Sequence, residues 1–411
     1  MIAALLLACT AANDGTTLPS STTTTTTTTT ETDLDVVKGM VAGRIAFEEA
    51  TATVAWRGGW PVLDGDTAWF VVAEDGRDWA VAGDFDGWTP EPMDRGPGFR
   101  YLQAQVGSAP EGLRYKLTAG ADWIADPLAR SYEYDGYGEI SFVEAPTDHA
   151  RLDRWPRAEG TGVGPRELRV WVPAGAGPWP TLYMHDGQNL FDPNGIWGGW
   201  RMPEALGSRD PVLVVGIDNT IDRFEDYTHV PDDVGYGGPM GGEGDEYAAF
   251  VQQVVRPHVE ATYGAPDAVG VMGSSLGGLI SLVIAQDYPD DYDFAGSLSG
   301  TLGWGRFTLD EETIEERFLA VPPTGLVVYA DSGGGPGNDG QCRDLDGDGF
   351  SEDDPDSSDN YCETRQFVDA LSANGWTWDD DLFHWWEPGA QHNEAEWAAR
   401  VGGPLDLFLS L

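Results

Sequence analysis

Asp267-Ala268-Val269-Gly270-Val271-Met272 runs into Gly273-Ser274-Ser275-Leu276-Gly277, and then into Gly278-Leu279-Ile280-Ser281-Leu282-Val283-Ile284-Ala285-Gln286. The first segment is a short apolar run and predicts a buried strand; the last predicts a helix with an apolar face. A Gly-x-Ser-x-Gly turn between strand and helix is a nucleophile elbow. Its glycines remove side chains that would clash in so sharp a turn. The Ser275 hydroxyl then stands at the carboxyl end of the sheet, and the Leu276 amide at the helix start can donate to an oxyanion. The pentapeptide alone is weak evidence, because Gly/Ser-rich turns are common. Its strand and helix are what favour a catalytic serine over a structural turn.

A serine nucleophile needs a base, and with this elbow the chain order is Ser, acid, His. Of six histidines, His149, His185, His229 and His258 precede Ser275 and are set aside. His384 lies in the strand-like Leu382-Phe383-His384-Trp385-Trp386, where a packed histidine is expected. His392 follows in Gly389-Ala390-Gln391-His392-Asn393, on a loop before the helical Glu394–Arg400 stretch. A histidine between the last strand and the last helix can reach the elbow, so His392 is the expected base. The acid is expected after the strand Leu326-Val327-Val328-Tyr329-Ala330. Asp339 in Gly337-Asn338-Asp339-Gly340 is the first candidate and Asp331, at the strand end, the second. Another carboxylate, or a Ser–His dyad, stays open. The acid's task is to fix the histidine tautomer and stabilise the imidazolium.

These blocks resemble the esterase family typified by enterochelin esterase and the feruloyl esterases. Tyr183-Met184-His185-Asp186-Gly187-Gln188-Asn189-Leu190-Phe191-Asp192 is similar to that family's strand and oxyanion loop. Val214-Val215-Gly216-Ile217-Asp218-Asn219, with Arg223 and Asp226-Tyr227-Thr228, is similar to its next strand and active-site loop. With the elbow and Gly389–Trp397, the resemblance covers about residues 165–411. It implies an α/β-hydrolase sandwich, a mostly parallel sheet flanked by helices, that cleaves carboxylic esters through an acyl-enzyme. It further implies Ser275 as nucleophile, His392 as base, and the Leu276 amide with one near Gln188 as oxyanion donors. No cofactor is implied for catalysis. The chain departs from the family after Gly333, where Gly334-Gly335-Pro336-Gly337 appear extra.

The same region carries Cys342-Arg343-Asp344-Leu345-Asp346-Gly347-Asp348-Gly349-Phe350-Ser351-Glu352. Asp-x-Asp-x-Asp-Gly begins a calcium loop, because alternate carboxylates about a sharp glycine turn converge oxygens on one hard cation. Asp344, Asp346, Asp348 and Glu352 are the candidate ligands of a structural calcium. Pro355 stands where an EF-hand has Glu, so the match is partial, and the bland alternative is a solvated acidic loop. Cys342 and Cys362 bracket this insert, residues 340–362, and could close it as a disulfide in an oxidising compartment. Such a bond would contribute on the order of 3 kcal/mol.

Cys9, the third cysteine, ends Leu6-Leu7-Ala8-Cys9, which resembles a bacterial lipobox. The apolar run before it is too short to span a bilayer. Residues 10–33, with the unbroken Thr22–Thr30 run, cannot build a core and are expected to be a tether. The expectation is an exported protein lipid-anchored at Cys9 in the bacterial cell envelope, with Thr10 favouring the outer membrane. A formal net charge of −46 argues against nucleic acid, since phosphate contacts need a basic surface.

Residues 34–150 carry short alternating segments and almost no helical pattern, and predict an all-β sandwich. Trp69–Ala73, Trp79–Gly83, Phe99–Val106 and Leu113–Leu117 are the expected strands. Gly83-Asp84-Phe85-Asp86-Gly87-Trp88 and Trp123-Ile124-Ala125-Asp126-Pro127 resemble the early-set immunoglobulin-like domains related to glycogen-binding modules. Its aromatics could stack on sugars, form core, or shape access to the neighbouring site. Residues 151–165, rich in charge, Pro and Gly, are expected to link it to residues 166–411. There Asp245–Val255 predicts an amphipathic helix that Pro257 kinks and Gly264 ends. The functional expectation is a serine carboxylesterase acting on a small-molecule or glycan-linked ester, with loops 193–205 and 220–245 setting specificity. The rivals are a non-catalytic glycan- or calcium-binding surface protein and an acyltransferase on the same fold.

Overall fold

The elbow's flanks fold as read. In the computed structural model Val269–Ser274 is a wholly buried strand and Leu276–Asp287 a helix buried over its first ten residues. The structure describes residues 31–411 except 208, 236, 338–339, 345–346 and 352–358. Cys9 and the Thr22–Thr30 run therefore lie outside the described residues. Asp33–Leu411 forms one unit.

Eight strands build the sheet around the elbow: β1 (Arg151–Gly160), β2 (Val163–Val172), β3 (Thr181–His185), β4 (Leu213–Ile217), β5 (Val269–Ser274), β6 (Phe294–Leu298), β7 (Val327–Ser332) and β8 (Leu382–Trp386). Helix α1 (Leu276–Asp287) follows β5, α2 (Tyr361–Ala373) precedes β8, and α3 (Glu394–Arg400) follows it. The spatial order is 1-2-4-3-5-6-7-8. Strands β3 to β8 run parallel, and β2 pairs antiparallel with β4. Parallel strands are buried on both faces, which is why β3 to β7 are continuous apolar runs without alternation. Two clusters fill the faces. Leu279, Leu282 and Val283 of α1 meet Val271, Val328 and Phe367 on one side; Met184, Met272, Leu298 and Trp397 meet on the other. This is the α/β-hydrolase order, and the reversal at β3–β5 opens a crevice at the carboxyl ends of the strands.

The expected linker is a strand. Arg151–Gly160 pairs with β2 over its length and with Ser131–Asp135 on its other edge. Charge and proline concealed it, but Leu152, Trp155 and Ala158 point inward, and Pro156 sits where the register shifts. One 14-stranded sheet consequently runs from β8 through β1 into the N-terminal strands.

Those N-terminal strands include Trp79–Gly83 and Arg114–Ala119, close to the expected bounds. A second sheet of four strands, which holds the equally expected Thr67–Ala73 and Phe99–Gln105, packs on them, with Ala68 and Phe70 facing Val81, Tyr115 and Leu117. The region is not purely β. Helices Asp33–Val41 and Phe47–Ala55 cover the outer face of that sheet, where Val36, Met40 and Val54 meet Trp69, Val71 and Phe99. The alternation of Phe70 and Val71 between two cores made the strand legible. Each helix is nine residues long, too short to declare a period. Trp123 and Tyr137 remain exposed, beside Trp88, Arg114 and Lys116, around a cavity of about 430 Å³. The Asp245–Val255 helix is part of a longer one: Gly244–Phe250 passes through a π turn, Val251–Val255, into Arg256–Tyr263, with Pro257 in the first turn of the last segment. Among the described residues no helix is long and apolar enough to cross a membrane.

Candidate active site

Ser275 sits at φ 57°, ψ −128°, between the last residue of β5 and the first of α1. That backbone is strained for a residue with a Cβ, and it persists because its surroundings over-determine it. The Ser275 amide donates to the Leu298 carbonyl at 3.0 Å, and its own carbonyl accepts from the amides of Gly278, Leu279 and Thr301 at 3.0, 3.1 and 3.3 Å. A Cβ on Gly273 would lie 2.5 Å from the Gly277 carbonyl oxygen, so the turn excludes any larger residue there.

Beside it runs the turn after β3, Gly187–Asn189. A Cβ built on Gly277 would meet Asp186 Oδ2 and His185 Cβ at 3.3 Å, which puts this turn against the elbow. Asp186 is held by the Arg223 guanidinium, with Nε and Nη2 at 2.9 and 2.8 Å, and by the Asn219 amide. Burial raises the Asp186 pKa, but Arg223 and Asn219 more than offset this, leaving the carboxyl below its ordinary value. The Gln188 side-chain oxygen accepts from the Asn219 backbone N–H at 3.1 Å, so the Gln188 side chain braces the loop after β4. The Leu276 amide opens α1, and first-turn amides of a helix lack intrahelical acceptors.

His392 lies between β8 and α3, about a third exposed, with its ring edge-on to Trp397 at 5.1 Å. Asn393 caps α3 through the Glu396 amide at 3.2 Å, which fixes the loop behind His392. Burial pushes His185 down to about 3, and His229, His258 and His384 down to about 4, so these four stay neutral at pH 7.

The carboxylate facing His392 is neither of those expected. Asp359 Oδ1 lies 2.7 Å from His392 Nδ1, and its side chain is fully buried. Its Oδ2 accepts from Ser299 Oγ at 2.8 Å, from Arg400 Nη2 at 3.2 Å and from the Gly333 amide. Asp331 is turned to other work. Its Oδ1 accepts from Arg400 Nε and its Oδ2 from Tyr329 Oη, each at 3.0 Å. Burial pushes Asp331 up to about 6, against the pull of Arg400. Asp339 lies outside the described residues. Arg400 thus bridges the two buried carboxylates, with Trp397 Nε1 donating to Ser299 Oγ at 3.0 Å alongside. Sequence reasoning missed Asp359 because the acidic insert carries it far from the end of β7. The available signal was Asp359-Asn360 just ahead of Cys362, two residue types that tolerate left-handed backbone at a helix entry.

The bracketing cysteines are joined: Cys342–Cys362 has S–S 2.03 Å and Cα–Cα 5.4 Å. Of the four candidate calcium ligands, Asp346 and Glu352 lie outside the described residues. Asp344 accepts from the amides of Gly347 and Gly349 at 2.6 and 3.0 Å, and Asp348 from that of Phe350 at 2.8 Å. Among the described residues no group of three His, Cys, Asp or Glu could hold a metal ion. Loop 193–205 exposes Ile196 and Trp197 and packs on α3; loop 220–245 exposes Ile221.

Known proteins are similar to this chain. The family model Esterase, described as "Putative esterase", matches residues 164–403, more than half of the chain. The uncharacterized protein YbbA of Bacillus subtilis is 27% identical over 153 residues, 34% of this chain. The chain spans 58% of that relative's length. Among solved structures, the IroE-like serine hydrolase of Shewanella oneidensis is 19% identical with a TM-score of 0.48, over 63% of this chain and 80% of that one. The enterochelin esterase of Shigella flexneri is 18% identical with a TM-score of 0.45, over 86% and 96%. With its strand order, its elbow and the match over residues 164–403, the chain belongs to the Esterase family and has the α/β-hydrolase fold.

Proposed function

We propose that the protein is a serine carboxylesterase that works through an acyl-enzyme, with Ser275 as nucleophile, His392 as base and Asp359 as acid. The observation that carries it is the buried Asp359 at 2.7 Å from His392 Nδ1, at the carboxyl end of the sheet, which also presents the strained Ser275. An acceptor on Nδ1 fixes the tautomer with Nε2 free to take a proton. Ser275 Oγ attacks the ester carbonyl carbon while its proton passes to His392 Nε2. The oxyanion is received by the amides of Leu276 and Gln188, each typically contributing ~3 kcal/mol. Collapse breaks the bond to the alcohol, which leaves with the proton from His392. Water then repeats the sequence on the acyl group and releases the acid.

The substrate we propose is an uncharged small-molecule or glycan-linked ester, consistent with a net charge of −46 that repels polyanions. The cavity beside Trp88, Trp123 and Tyr137 supports the glycan-linked form, because aromatic faces next to Arg114 and Lys116 suit a sugar ring. Trp123→Ala should then weaken retention on immobilised polysaccharide without changing turnover of a simple aryl ester. The disulfide supports export to an oxidising compartment, and a lipid anchor at Cys9 belongs to the same proposal.

The test is an active-site-directed fluorophosphonate, with the adduct mapped by mass spectrometry. Labelling at Ser275 with loss of ester turnover by at least ~10⁴-fold in Ser275→Ala is expected. Folded protein that does not label, or Ser275→Ala that turns over esters normally, would overturn the assignment.

A further inference from the structure

Asp359 is a demanding position for a catalytic acid. It has φ 68°, and Asn360 after it has φ 55°, two successive left-handed residues with side chains. Asn360 caps α2, its carbonyl accepting from the Thr364 amide at 3.1 Å, whereas Asp331 lies within β7. Further ties hold the turn from the far side. Asn360 Nδ2 donates to the carbonyls of Ser299 and Gly300, both at 3.0 Å. That loop follows β6, whose Leu298 carbonyl receives the Ser275 amide, so Asn360 locks the turn of the acid to the scaffold of the nucleophile. Two residues later, Cys362 in the first turn of α2 is joined to Cys342, twenty positions earlier. The bond pins the insert's return at the point where the acid must enter the site.

We infer that Asn360 and the Cys342–Cys362 disulfide are positioning elements for Asp359, so that catalysis by this chain depends on an oxidised insert. The inference rests on the assignment of Ser275, His392 and Asp359 above. Reduction of the bond takes two electrons and two protons from an added dithiol, which becomes a disulfide, and leaves both cysteines as thiols. The turn that carries the acid then loses its covalent tie on the α2 side. A carboxylate aligned on Nδ1 fixes the tautomer and stabilises the imidazolium that forms as Ser275 attacks. Loss of its alignment therefore lowers kcat and leaves KM little changed.

The experiment uses the full chain and p-nitrophenyl butyrate, with kcat and KM measured against pH. It compares wild type with and without dithiothreitol, the double variant Cys342→Ser/Cys362→Ser, and Asn360→Ala, each verified as folded by circular dichroism. Loss of ~10–100-fold in kcat is expected for reduced wild type, the double variant and Asn360→Ala. KM should stay within a few-fold, and the double variant should ignore dithiothreitol. Lower activity in which KM rises as much as kcat falls would mean a structural role only and would overturn the inference, as would a double variant that matches oxidised wild type. If the double variant does not fold, Asn360→Ala decides alone. Ser275→Ala run in parallel separates the failures: turnover by that variant rejects the site assignment itself, whereas its inactivity beside a fully active double variant rejects only the positioning role.

Discussion

The proposed nucleophile and the proposed acid of this site are built in opposite ways. Ser275 is placed by its immediate neighbours: a strand ends, a glycine allows the turn, a helix begins, and the serine occupies the strained corner. Asp359 is placed by partners from three separate stretches of chain, Ser299, Gly333, and the segment that carries both His392 and Arg400, and enters from beyond an acidic insert. A locally built position tolerates change elsewhere in the chain. One assembled from distant segments fails whenever any of them moves.

The sharpest way to break the comparison is at the local end. Gly273→Ala sets a Cβ against the Gly277 carbonyl at 2.5 Å, and this backbone cannot yield without moving Ser275. A loss of ~10²-fold or more in kcat is expected, read from single-turnover acylation. At the distant end, Arg400→Met leaves Asp331 and Asp359 buried without their shared cation. Removing one partner of a buried ion pair costs about 3–5 kcal/mol, measurable by urea unfolding.

The third effect is a pH dependence with a definite sign. The Asp331 pKa lies at about 6 in the folded protein, above its unfolded value of about 4. Between these values the folded state binds more protons, so this group's contribution to stability falls as pH rises. Wild type should lose about 1–3 kcal/mol relative to Asp331→Asn between pH 4 and pH 6, with no further change above. Paired unfolding curves at several pH values check it. The smallest effect belongs to the cap of α3: Asn393→Ala should cost ~1 kcal/mol of stability, read from urea unfolding.

What the sequence disclosed follows the same division. The elbow, the parallel strands and His392 were legible because each is a contiguous pattern: an apolar run, a Gly-x-Ser-x-Gly turn, a histidine between the last strand and helix. The cysteines flanking the insert were legible as a pair because the third cysteine had another explanation. Asp359 was not legible, since nothing about an aspartate among many acidic residues announces which one returns to the sheet. Arg151–Gly160 was concealed for a related reason: Arg154 is buried by pairing with Glu139, which a reading by polarity assigns to solvent. The helices 33–41 and 47–55 are defined by the sheet face they cover more than by their own period.

The most direct measurement is the rate of fluorophosphonate labelling at Ser275 in wild type, Asp359→Asn and Asp331→Asn at pH 7. If Asp359 is the acid, Asp359→Asn should slow labelling by ~10²–10⁴-fold, because the asparagine amide favours the wrong histidine tautomer, while Asp331→Asn stays within about tenfold of wild type. A normal rate in Asp359→Asn, with the large loss falling on Asp331→Asn instead, would contradict the assignment of the acid.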